Sequence, residues 1–131
     1  MATRSQAREA VISILYAKDI GNNDIDNFID EILEDKKIRN KQKEFSLSLL
    51  NGTLDNLDSV DEALNSNLKE WKLDQISNIE RAILRLGAYE VLFSDTDKPV
   101  IINESIEFAK KLGSNTTAKL INGVLDAIKR D

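Results

Sequence analysis

Between Ile76 and Phe93 apolar residues return every three or four positions: Ile76, Ile79, Ile83 and Leu86, flanked by Ala82, Tyr89 and Phe93. Wound as an α-helix, this stretch carries a broad apolar face over about four turns, wider than the single stripe of a helix that lies on a surface. Such a helix is central, and the rest of the chain must wrap it.

The rest has the same period. Thr3 and Gln6 have the spacing of a capping box, and Ala7, Ala10, Val11, Ile14 and Leu15 then recur at helical spacing, so a first helix is expected from about Arg4 to Lys18, ending near Gly21. Ile12 and Tyr16 point away from the centre of that stripe, and Arg4 and Arg8 stand one turn apart on its shoulder. Ile25, Phe28, Ile29, Ile32 and Leu33 make a second, short helix capped by Asp24 or Asp26. A third spans Asn40 to Asn56 and buries Phe45, Leu49, Leu50 and Leu54, with Gly52 as an internal weak point. Ser59 and Glu62 open a fourth, carrying Val60, Leu64 and Leu68, after which Trp71 is expected to plug the gap between helices. Pro99 suits the first turn of a sixth helix that stops at Gly113. Asn115 caps a seventh, with Ile121, Val124, Leu125 and Ile128 inward and Leu120 at the edge of burial. Short connections imply antiparallel neighbours, hence an all-α fold: a compact bundle of about seven helices.

With 131 residues, 41% of them apolar, the chain buries enough surface to fold as one domain, residues 1–131, without a disulfide or cofactor. It has no cysteine and no histidine. Thiolate chemistry, the usual general base near neutral pH and the commonest neutral metal ligand are therefore missing, and no metal site is expected. Carboxylate pairs such as Asp30 with Glu34 follow from an acidic surface, and the isolated glycines make no phosphate-cradling loop. No run approaches the ~20 apolar residues of a membrane span, which points to a cytoplasmic protein without a membrane partner. What remains is binding rather than catalysis.

The formal net charge of −5 conceals blocks of one sign. Asp19 to Asp35 holds seven acids and no base, whereas Lys36 to Lys43 holds Lys36, Lys37, Arg39, Lys41 and Lys43 and no acid. The chain also begins with two arginines before its first acid. That basic start reads as a targeting signal, as an ordinary helix start, or as a surface for an anion. The block from Lys36 to Lys43 is expected to be a solvated linker.

Four segments in order, "AREAVISILY" near the start, "IERAILRLGAYEVL" (Ile79 to Leu92), "KPVIINESIEFAKKLG" (Lys98 to Gly113) and "KLINGVLDAI" (Lys119 to Ile128), resemble the NusB family of bacterial transcription antitermination factors. The resemblance implies a non-catalytic, cofactor-free protein of two small helical subdomains. It implies partners too: NusE, a small-subunit ribosomal protein, with which the family binds single-stranded boxA RNA of ribosomal RNA transcripts, and the other Nus factors and RNA polymerase that then read through terminators. Two further readings are a homodimer that occludes those surfaces, since some members self-associate, and an RNA-targeting domain of the kind fused to ribosomal RNA methyltransferases. The second is disfavoured because no cofactor-binding α/β domain accompanies these residues.

Residue by residue, the family's arginine-rich RNA motif is matched by Arg4 and Arg8, with Ser5 and Gln6 standing where relatives often have arginine. A second share of RNA contact falls on Asn115, Thr116, Lys119 and Leu120, the last at a position that is aromatic in well-known relatives. Tyr16 and Glu80 match the NusE-facing positions. The two cationic groups are expected to converge into one RNA-facing patch.

Overall fold

The computed structural model describes residues 2–130. Among these, seven α-helices follow one another: α1 (Arg4–Asp19), α2 (Ile29–Asp35), α3 (Lys41–Asp55), α4 (Leu57–Asn67), α5 (Asn78–Phe93), α6 (Lys98–Leu112) and α7 (Asn115–Ala127). A 3₁₀ turn, Asn23–Phe28, leads into α2, and another, Leu73–Gln75, precedes α5. The fold is all-α, as the period requires.

Helix α5 is the hub, packing against α1, α3, α4, α6 and α7. Its Ala82, Ile83, Leu84, Leu86, Ala88 and Val91 are buried. They join residues of α1, α3, α4, α6 and α7 in one main core, while Ala7, Ala10, Leu33 and Ile38 form a small satellite beneath α2. Close approach is built into this hub. Gly87 sits where α5 meets α6 and α7, and a Cβ there would lie 2.8 Å from Leu125 Cδ1. Gly52 is likewise no weak point: a Cβ on it would overlap the Tyr89 hydroxyl, so α3 packs on α5 through its absence.

Local signals account for several helix ends. Thr3 Oγ1 accepts from the Gln6 N–H at 3.1 Å and Gln6 Oε1 accepts from the Thr3 N–H at 2.8 Å, closing the capping box of α1. Three expected caps shift. Ser114, not Asn115, accepts the Thr117 N–H and caps α7. Helix α4 starts at Leu57, two residues before Ser59, and Asp26 caps nothing because it pairs with Lys18 at 2.8 Å. Ile12 departs from expectation as well: it is buried, since α5 and α3 cover α1 on more than one side.

Helices α1 and α5 run antiparallel, with Arg8 beside Glu90 at one end and Arg81 bonded to Asp19 at 2.6 Å at the other. Side chains of α6 reach α1, where Glu104 meets Ser5 and Lys111 meets Glu9. This frame fixes where the candidate residues fall.

Candidate nucleic-acid and partner interface

The two arginines of α1 have different fates. Arg4 is exposed, its guanidinium 4.7 Å above the Phe45 ring, and it has no ion-pair partner among the described residues. Arg8 is 3% exposed and inside the protein. Its Nε and Nη2 donate to Glu90 at 3.0 and 2.9 Å and its Nη1 donates to Glu104 at 2.9 Å. Glu104 also accepts from the Ser5 hydroxyl at 2.6 Å. Burial pulls the guanidinium pKa down, but the hydrogen bonds and charge of Glu90, then Glu104, outweigh it and hold the pKa above its ordinary value. With its donors facing two carboxylates, Arg8 has no fork to offer a phosphate, which corrects its expected role.

The cations Lys36, Lys37, Arg39 and Lys41 of the α2–α3 connection are exposed to solvent, as expected, but its backbone is fixed. Lys37, at φ 58°, is the left-handed residue of a Schellman turn: its N–H donates to Glu34 O at 2.9 Å and the Ile38 N–H donates to Leu33 O at 2.8 Å. Ile38 and Leu33 are both buried beneath it, the apolar contact that this motif usually carries. The turn thus holds its cations in place. Ala2, Lys37, Arg39 and Lys41 line one recess of about 540 Å³ beside the start of α1. Arg39 pairs with Glu34, whose pKa is lowered by that bond, whereas Lys37 and Lys41 have no ion-pair partner among the described residues.

At the start of α7, Asn115, Thr116 and Lys119 are exposed and Leu120 is half-buried. The first turn of α7 contains no acid, so nothing offsets the positive end of its dipole. Thr116 and Leu120 share a recess with Glu80, Ser77 and Trp71 at the start of α5. Trp71 itself is 55% exposed and plugs nothing; Leu68 and Leu73, on either side of it, go inward instead. Its charged neighbours Lys69, Glu70 and Lys72 were the available signal.

Arg4 and the α7 start do not converge at a point. Arg8 marks the Glu90 end of α5 and Thr116 the Glu80 end, ten residues or about 15 Å apart along the axis. Between them runs the last turn of α6 with Lys110 and Lys111, the latter tied to Glu9 at 2.7 Å. The cations near the starts of α1 and α7 therefore sit at different levels along α5.

Tyr16 is 38% exposed and lines a recess of about 560 Å³ with Ser13, Asn78, Ile79 and Leu112. Glu80 flanks it across Ser77, but one of its carboxylate oxygens is occupied: Oε1 accepts from the Ser77 N–H at 3.1 Å and hydroxyl at 2.9 Å. The same glutamate caps α5 and faces the surface.

Fold and surface together define an all-helical bundle that presents cations and aromatic side chains in open recesses, with no cluster of acids, cysteines or histidines fit to hold a metal among the described residues. No helix among them is long and apolar enough to cross a membrane. The chain belongs to the NusB family, whose profile matches residues 5–130, a family of transcription antitermination factors. It is 55% identical over 131 residues to transcription antitermination protein NusB of a Nitratiruptor species, covering 100% of this chain and 94% of that protein. It is 56% identical over 128 residues to the namesake of Aliarcobacter butzleri, covering 98% of each. Among solved structures it is similar to T. maritima NusB, with a TM-score of 0.87 and 33% identity over 97% of this chain and 90% of that one. It is also similar to a chain in a crystal structure of the antitermination factors NusB and NusE in complex with dsRNA, with a TM-score of 0.85 and 26% identity over 95% and 94%.

Proposed function

We propose that this chain, acting as one unit over residues 1–131, is a non-catalytic cytoplasmic adaptor that binds single-stranded boxA RNA of ribosomal RNA transcripts together with NusE, and so lets RNA polymerase read through terminators. One observation carries the RNA half. In a protein of net charge −5, Arg4, Lys37, Lys41 and Lys119 stay outside the ion pairs among the described residues, and they lie around the starts of α1 and α7. Extended single-stranded RNA can follow them as a track, with its phosphates on the cations and its bases free to be read. A solved relative in complex with NusE and dsRNA supports NusE and RNA as the classes of partner.

The residues assigned to RNA are Arg4, Asn115, Thr116, Lys119 and Leu120, with Lys37 and Lys41 added. Arg8 keeps an indirect role, fixing the end of α1 that presents Arg4. For NusE, the exposed Tyr16 ring in its recess is the apolar anchor, and the free Glu80 oxygen meets a basic side chain. Because few phosphates are neutralised, the chain alone binds RNA weakly and NusE supplies much of the affinity.

Fluorescence anisotropy of a boxA RNA and of a scrambled control, each with and without NusE, tests this reading. The expected result is tighter binding to boxA once NusE is added; equal affinity for the two RNAs in its presence overturns it.

A further inference from the structure

Trp71 lies in the connector between α4 and the turn Leu73–Gln75, and that connector is pinned. Leu68 and Leu73 are buried, the Leu73 N–H donates to Asn65 Oδ1 at 2.8 Å, and Arg81 Nε donates to Leu73 O at 3.0 Å. A large apolar ring between two such anchors remains 55% exposed. It stands on a ridge with Leu120, and a recess opens on each side. One, of about 360 Å³, runs past Lys69, Lys119 and Gly123; the other, of about 240 Å³, runs past Thr116 and Glu80.

Thr116, Lys119, Leu120 and Gly123 share one face of α7. At Gly123 a Cβ would meet nothing within 4 Å, so the missing side chain leaves the first recess open. The charge there favours an anion. Lys69 and Lys119 have no ion-pair partner among the described residues, against the single acid Glu70 lining that recess, and Glu80 in the other is engaged by Ser77. An exposed aromatic face bordered by uncommitted cations fits a polyanion that carries flat apolar rings, which is single-stranded RNA.

We propose that Trp71 and Leu120 form a slot that takes one unstacked base of single-stranded RNA, the indole supplying a stacking face and Lys119 and Lys69 holding the flanking phosphates. The proposal rests on the RNA reading above and extends its track past the start of α7. Leu120 gives aliphatic contact alone, so the ring next to it provides the stacking.

Trp71 is the only tryptophan of the chain, so its emission reports this slot alone. The full chain at low salt is titrated with a single-stranded boxA oligonucleotide carrying a terminal dye, anisotropy reading binding and tryptophan emission reading contact at the ring. Binding is expected to quench the emission, Trp71→Ala to weaken binding on the order of ten-fold, and Trp71→Phe to retain most of it. Gly123→Leu, which puts a side chain into the recess, is expected to weaken binding as well. Binding that leaves both the emission and the Trp71→Ala affinity unchanged overturns the slot while leaving the RNA reading intact; no binding of any RNA overturns both. Equal quenching by a blunt duplex of the same sequence, whose bases stay stacked, or a response to NusE in place of RNA, also overturns the slot.

Discussion

Removing Arg8 tests whether the arginine of α1 that resembles an RNA ligand is in fact a structural ion. Its side chain and that of Glu90 are 4% and 3% exposed, and four hydrogen bonds leave its guanidinium for Glu90 and Glu104. Truncating it to alanine strands the Glu90 carboxylate among apolar residues, and losing one partner of a buried pair costs about 3–5 kcal/mol. Against a typical total of about 5–15 kcal/mol this is a large share. With a urea m-value of about 2 kcal/mol/M, the unfolding midpoint of Arg8→Ala falls by about 2 M. Since the Arg8 pKa is raised, its stabilising charge is present below the unfolded-state value and lost only above the folded one, so in the wild-type protein the Arg8 contribution should not vary with pH in ordinary buffers. Adding Glu90→Gln to Arg8→Met should recover much of the loss, because the stranded charge is gone. Urea unfolding followed by circular dichroism reads all three variants. A midpoint within about 0.5 M of wild type, with RNA affinity lost in the folded protein, would refute the structural assignment.

Other substitutions separate roles that one residue combines. Glu80→Gln preserves the oxygen that Ser77 uses and removes the charge, so stability should hold within about 0.5 kcal/mol while NusE affinity drops several-fold in calorimetry; unchanged affinity would take that charge out of the interface. Tyr16→Ala should weaken the NusE complex by about 1–2 kcal/mol without altering RNA binding at low salt, and wild-type partner affinity would remove the ring from the interface. Lys37→Gly relieves a left-handed residue that carries a side chain, so stability should rise by about 1 kcal/mol in thermal unfolding while RNA affinity falls; unaltered RNA affinity would return the α2–α3 turn to the status of a bare connector.

The helices were legible because their apolar period and their caps agree: Thr3 with Gln6 and Gly113 after α6 each mark a real end. What the period conceals is how many neighbours a helix has. Ile12 lies off the stripe of α1 yet is buried, because α3 and α5 approach from different sides. Arg8 is one turn from Ile12 and goes inward with it. A signal for that burial did exist, since Glu90 sits four and seven residues after Leu86 and Ile83, on the core face of α5, where an acid needs a cation. Trp71 departs in the other direction: its bulk suggested a plug, but its immediate neighbours are charged and the leucines two or three residues away fill the core. Separation along α5 could not be read at all, because the side on which each helix end falls is decided by packing between helices far apart in the chain.

The salt dependence of single-stranded RNA binding, measured for wild type and for the Arg4→Ala, Lys119→Ala double variant, bears most directly on the cation track. Four phosphates held by Arg4, Lys37, Lys41 and Lys119 give a slope of log affinity against log salt near −3, and losing two should flatten it to about −1.4. An unchanged slope in the folded variant would mean that the RNA lies on some other face.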